Sequence, residues 1–208
     1  MRVLAFGDSI TQGYWDSKGG WVNRLRKYYD EQKLSGKEDD PPTIFNLGVS
    51  TDSSSDVLAR IDSETKARDR YKDLAFIIAI GVNDARTKSG KSFTDTDRYL
   101  SNLNKIVKIA QLYTNRIMFV GLTPCVEERS NPVAWSDTGY TNERIWHFEL
   151  ALRKFCEQNS LPIVKVFELL SEKQKQNELF PDGIHPNDKG HELIAGLVKP
   201  KLEELLSA

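Results

Sequence analysis

Seven consecutive apolar residues, Leu74-Ala75-Phe76-Ile77-Ile78-Ala79-Ile80, restrict the fold more than any other stretch of the chain. The run is far too short to span a bilayer, and with no polar residue in it there is no face to give to water. It reads as a strand covered on both sides, the situation of a strand inside a parallel sheet flanked by helices. Four other stretches read as strands: residues 3–6, 43–47, 116–121 and 162–167.

Apolar residues at helical spacing separate these strands. Trp21, Leu25 and Tyr28 mark a helix ending near Leu34. Ser53 or Ser54 can cap a second helix that carries Val57, Leu58 and Ile61 to about Tyr71. Tyr99, Leu103 and Ile106 mark a third, and Ile145, Phe148 and Leu152 a fourth. A short helical piece lies around Leu169. A last helix starts near Asp188 with Ile194, Leu197 and Val198 facing inward, and Pro200 is expected to kink or split it. Strand followed by helix, five times over, predicts a three-layer α/β/α sandwich around a five-stranded parallel sheet. Analogy with other doubly wound sheets suggests the strand order 2-1-3-4-5. The segments 10–20, 85–97 and 123–140 read as irregular, and the last is long enough to suggest a functional loop.

The 208 residues suit one domain, 1–208, with no repeat or linker. Lys plus Arg is 29 and Asp plus Glu is 30, a formal net charge of −1, which gives no reason to expect nucleic acid or an anionic membrane as partner. Cys125 and Cys156 have neither metal-site spacing nor the number for a disulfide framework, so packed, reduced thiols are expected. Without a visible leader the chain reads as cytoplasmic. No metal site and no cofactor motif is apparent.

In a parallel sheet, residues that follow the strands gather at one edge. Ser9 follows the first strand, Gly48 the second and Asn83 the third; Asp182 and His185 follow the fifth. The chemistry of this set is acyl transfer. A serine hydroxyl needs a base to become a nucleophile, and His185, held extended by Pro186, is the best placed of three histidines. Asp182 can orient its imidazole. The backbone N–H groups of Ser9 and Gly48 and the side-chain amide of Asn83 can hold an oxyanion. Asp84 reads as a structural residue bonding local backbone. His147 and His191 read as packing or surface histidines. Asp8, Trp15, Trp135 and Tyr140 are candidates for contact with substrate. Ser63-x-x-Lys66 and His191-Glu192 lack the partners their look-alike motifs require.

Gly7-Asp8-Ser9-Ile10, Asn46-x-Gly48, Gly81-x-Asn83-Asp84 and Asp182-x-x-His185 occur in the order of the four blocks of the GDSL/SGNH hydrolases, and the chain resembles that family from residue 7 to 185. Ile10 stands where the family name has leucine. Asp52 stands where many members have a small residue. The resemblance implies a flavodoxin-like α/β/α sandwich and ester hydrolysis through an acyl-serine, without a cofactor. Ser9 would be the nucleophile, His185 the base, Asp182 its orienting acid, and Ser9, Gly48 and Asn83 the oxyanion hole. The expected substrate is a small-molecule ester with a short acyl group, an acetylated sugar being one candidate; a lipase or thioesterase activity is the alternative. A different class of function is a phosphate or flavin cradle formed by Ser9, Thr11 and Gly13, but it leaves Asn83, Asp182 and His185 without a task. An interaction protein with a silent site is a third reading, which only an assay separates.

Overall fold

A computed structural model describes residues 1–174 and 178–207. Its elements in chain order are β1 (Arg2–Gly7), α1 (Ser9–Gln12), α2 (Gly20–Leu34), β2 (Thr43–Gly48), α3 (Ser54–Arg68), β3 (Leu74–Ala79), β4 (Thr87–Lys88), β5 (Lys91–Ser92), α4 (Thr96–Gln111), β6 (Ile117–Val120), α5 (Glu127–Ser130), β7 (Thr138–Gly139), α6 (Asn142–Gln158), β8 (Ile163–Val164), α7 (Phe167–Gln174) and α8 (Asp188–Ser207). The main sheet has five parallel strands in the order β2-β1-β3-β6-β8, which is the expected 2-1-3-4-5 order. Helices α2 and α8 pack together, and α3, α4 and α6 form the other helical layer.

The apolar runs explain the layering. Residues 3–6 in β1 and 75–78 in β3 are fully buried, so both faces of the central strands are covered. Trp21, Leu25, Val198 and Leu202 are buried on α2 and α8; Val57, Ile61, Leu103, Ile106 and Leu152 are buried on the opposite layer's helices. The central strands also run level. Gly7 stands opposite both Gly48 and Ala79, so β1, β2 and β3 end on one line. That register brings the residues after them to a common edge.

Several local expectations change. Strand five is only Ile163–Val164, because its pairing with β6 stops at Val164 and α7 begins at Phe167. The polar segment after β1 opens with a helical turn, α1, started by Asp8, whose carboxylate accepts from the Ile10 N–H at 2.9 Å. The supposedly irregular segments 85–97 and 123–140 contain β4, β5 and β7, which form a second sheet in the order β5-β4-β7. Two-residue strands carry too little pattern to be read from sequence. Helix α8 runs through Pro200 instead of splitting there. Pro200 and Gly196, whose carbonyl loses its helical donor, both face solvent, where water can take that bond. Asp84 does not bond local backbone. It reaches Ser54, accepting from the backbone N–H at 2.8 Å and from Oγ at 2.5 Å, and so fixes the start of α3 to the end of β3.

Candidate active site

Ser9 is the first residue of α1, directly past β1, and its Oγ lies 2.8 Å from His185 Nε2. His185 Nδ1 lies 2.6 Å from Asp182 Oδ2. The loop that carries the last two residues is locally determined. Asp182 Oδ1 accepts from the backbone N–H groups of Ile184 and His185, at 3.0 and 2.8 Å, closing a turn on its own side chain. Gly183 sits at φ 95° with the Arg129–Ser130 backbone so close that a Cβ would collide with it. Burial alone would push the Asp182 carboxyl up. The bonds from the His185 side chain, from the two backbone N–H groups and from Trp15 outweigh that, and hold it well below the usual carboxylate range. It therefore stays ionised beside the imidazole.

The cleft around Ser9 has a volume of about 170 Å³ and is lined by Tyr14, Trp15, Ser50, Thr51, Asn83, Trp135, Tyr140 and Ile184 with the Ser9, His185 and Asp182 side chains. Aromatic rings surround the imidazole. Trp135 stacks on it with a 23° angle between planes, Trp15 meets it edge-on, and the Tyr14 ring centroid is 5.3 Å away. Trp15 and Trp135 are each 59% exposed, so both have a face free for a bound molecule. Trp15 has a φ of 62°, a left-handed conformation that is a strained one for a bulky residue. Asp16 holds the chain beside it, bonded to Arg24 at 2.7 Å and to the N–H groups of Lys18 and Gly20. His191, read as packing, has a defined part in this loop. Its Nε2–H donates to the Tyr14 carbonyl and its Nδ1 accepts from the Trp21 N–H.

Two of the sequence candidates fall elsewhere. Gly48 does not line the cleft: its N–H is given to Asn46 Oδ1 at 3.0 Å. Its missing Cβ is needed because the Gln12 nitrogen of α1 would lie 2.2 Å from one. The glycine thus serves the packing of α1 on β2, and its assignment to an oxyanion hole is corrected. Asp8 is 3% exposed and faces the interior, capping α1, where burial raises its carboxyl to about 6; it is not a substrate contact. Asn83 and Tyr140 do face the cleft. Asp52, the departure noted on this rim, turns its carboxylate to Arg60 at 2.8 Å and gives its backbone carbonyl to Asn83 Nδ2 at 3.0 Å.

What the sequence did not reveal is Thr51. It lines the cleft with a φ of 71°, an outlier for a β-branched residue. Among the described residues nothing accepts from its backbone N–H. The polar run of residues 50–55 held no pattern that singles this residue out. Elsewhere, Cys125 and Cys156 are free and buried, and burial pushes their thiols up to about 11 and about 12, so neither offers a thiolate. Among the described residues no three His, Cys, Asp or Glu side chains are grouped to hold a metal, and no helix is long and apolar enough to cross a membrane.

A parallel α/β/α sandwich with a serine, a histidine and an aspartate in hydrogen-bonded sequence at the carboxyl edge of its sheet defines a class of ester hydrolases. The chain belongs to the GDSL-like lipase/acylhydrolase family, whose model matches residues 5–193. It is 25% identical over 218 residues to the human isoamyl acetate-hydrolyzing esterase 1 homolog, covering all of this chain and 83% of that protein. Solved structures share the fold. The lipase/acylhydrolase from Enterococcus faecalis superposes with a TM-score of 0.76 at 19% identity, covering 99% of this chain and 95% of its own. The acetyl xylan esterase AlAXEase does so with a TM-score of 0.75 at 20% identity, covering 97% and 99%. The protein is accordingly a carboxylic ester hydrolase of the GDSL type.

Proposed function

We propose that the protein is a single-domain serine esterase that cleaves small uncharged esters with short acyl groups through an acyl-serine. The observation that carries this reading is the bonded series Ser9 Oγ, His185 Nε2, His185 Nδ1, Asp182 Oδ2 opening on a cleft of about 170 Å³. Ser9 Oγ attacks the ester carbonyl carbon while His185 Nε2 takes the hydroxyl proton. The carbonyl π electrons move to oxygen, and Asp182 stabilises the imidazolium. The tetrahedral adduct then expels the alkoxide, which leaves as alcohol with the proton from Nε2. Water, deprotonated by the same nitrogen, attacks the acyl-serine and releases the acid and free Ser9.

The oxyanion needs donors fixed in advance. The Ser9 N–H, at the start of α1, has no partner within its own helix. Asn83 Nδ2 has a hydrogen beyond the one given to Asp52. In place of Gly48, we assign the third donor to the Thr51 N–H, which stands at the cleft without another acceptor. The strain at Thr51 fits such a role, since unfavourable backbone angles gather where function requires a particular orientation.

The size and lining of the cleft support the substrate class. Apart from the catalytic pair its walls carry no charged side chain, and its aromatic faces suit an apolar or sugar alcohol. The names of the relatives, an isoamyl acetate-hydrolyzing esterase homolog and an acetyl xylan esterase, point to acetyl esters of both kinds. A series of p-nitrophenyl esters of increasing acyl length, run beside isoamyl acetate and an acetylated xylose, tests this. The reading expects kcat/KM to peak at acetate to butyrate and to fall beyond. A maximum at long acyl chains would replace it with a lipase.

A further inference from the structure

The Tyr140 hydroxyl donates to Asn83 Oδ1 at 2.7 Å, and this contact joins two segments far apart in sequence. Asn83 lies in the turn that follows β3, just before β4. Tyr140 directly follows β7. The small antiparallel sheet pairs Thr87 with Gly139 and so sets the two side chains against each other. A sheet of two-residue strands, remote from the main sheet's core, thereby has a local consequence at the cleft.

The Asp52 carbonyl and the Tyr140 hydroxyl together hold the amide in one direction. Asn83 Nδ2 donates to the Asp52 carbonyl at 3.0 Å, while Oδ1 receives Tyr140 at 2.7 Å and, more distantly, Arg86 Nη1 at 3.4 Å. With oxygen and nitrogen exchanged, Oδ1 would confront the Asp52 carbonyl, acceptor against acceptor, and Arg86 would face a donor; the Asp52 carbonyl thus sets the direction of the amide, and the Tyr140 hydroxyl holds Oδ1 in it. Arg86 is a weak substitute for the tyrosine, since its guanidinium is stacked on Phe93 with 3.9 Å between its carbon and the ring centroid. Tyr140 is 8% exposed, and burial pushes its hydroxyl up to about 12, so near neutral pH it keeps the proton it donates.

We propose that Tyr140 is a positioning residue for the oxyanion donor Asn83, fixing the amide so that the free Nδ2 hydrogen meets the ester carbonyl oxygen as it becomes negative. This inference rests on the esterase reading above. It differs from a role for Tyr140 as a wall of the substrate pocket, because a wall is felt in binding and a positioned donor in the transition state.

The test is a double-mutant cycle of Tyr140→Phe and Asn83→Ala on p-nitrophenyl acetate, with melting temperatures to check folding. Tyr140→Phe keeps the ring and its packing. Its kcat should fall about tenfold with KM within about twofold, the loss of one hydrogen bond felt only in the transition state. In the Asn83→Ala background, Tyr140→Phe should cost no more than about a further twofold, because the group it positions is gone. An equal loss in both backgrounds, or a change confined to KM, overturns the inference. If the wild type hydrolyses no ester, or Ser9→Ala hydrolyses as fast, the esterase reading itself has failed. If Asn83→Ala is impaired while Tyr140→Phe matches the wild type, only this inference has failed.

Discussion

The indole Nε1–H of Trp15 donates to Asp182 Oδ2 at 2.6 Å, the same oxygen that faces His185 Nδ1. A partly exposed ring at the mouth of the cleft is thus tied directly to the carboxylate that faces the imidazole. Two backbone N–H groups clamp the other oxygen, Oδ1, so the carboxylate keeps its orientation without the indole. The ring, by contrast, loses its tether. Trp15→Phe should therefore raise KM severalfold while kcat stays within about threefold. Asp182→Asn should do the reverse, lowering kcat by about 10⁴ through the wrong imidazole tautomer. Steady-state kinetics on p-nitrophenyl acetate separate the two, and a large kcat loss in Trp15→Phe would make the indole part of the proton machinery.

Thr51 supplies a prediction on stability. A β-branched residue at a φ of 71° is strained, and glycine adopts that angle freely. Thr51→Gly keeps the backbone N–H and removes the strain, partly offset by the greater freedom of glycine in the unfolded chain. We expect a gain of about 0.5–1 kcal/mol in unfolding free energy, with kcat retained. Urea unfolding and a kinetic assay check both halves. A loss of stability would mean that the Thr51 side chain makes contacts worth more than the strain.

These residues also mark what could be read from the chain. The central strands were legible because residues 74–80 and 3–6 are apolar throughout, which in a sheet covered on both faces leaves little choice. That Ser9, Asn83, Asp182 and His185 meet at one edge is legible, because Ser9 and Asn83 follow strands of one parallel sheet and the turn with Asp182 and His185 follows the last strand and its short helix. Gly48 is ambiguous in the sequence because a glycine after a strand has two explanations, close approach of a substrate or of another backbone. Here α1 lies against it. Thr51 was missed because its φ leaves no trace in its residue type. The sequence marks Tyr140 as an aromatic candidate for substrate contact, but its bond to Asn83 depends on a small sheet whose strands are too short to show a period.

Acid should weaken the loop that carries Tyr14 and Trp15. His191 is fully buried, and burial lowers its pKa below 6.5. In the fold its Nδ1 accepts from the Trp21 N–H, a bond that a protonated ring cannot accept. Below about pH 6.5 the unfolded chain binds this proton more readily than the folded one, so the contribution of His191 is complete above that pH and declines as pH falls toward the depressed folded value. Asp8 acts in the opposite sense: its carboxyl, raised to about 6, makes the fold relatively more stable as pH falls from 6 toward 4. Comparison with His191→Gln isolates the histidine. The wild type should lose more stability than the variant between pH 6.5 and 5 in urea titrations. Parallel curves would show that His191 titrates normally.

Whether Ser9 is the nucleophile is decided by the hydrolysis of p-nitrophenyl acetate by wild type and Ser9→Ala. With both proteins folded by circular dichroism, kcat of the variant should fall by about a thousandfold or more. A folded Ser9→Ala that hydrolyses the ester at the wild-type rate would contradict that role.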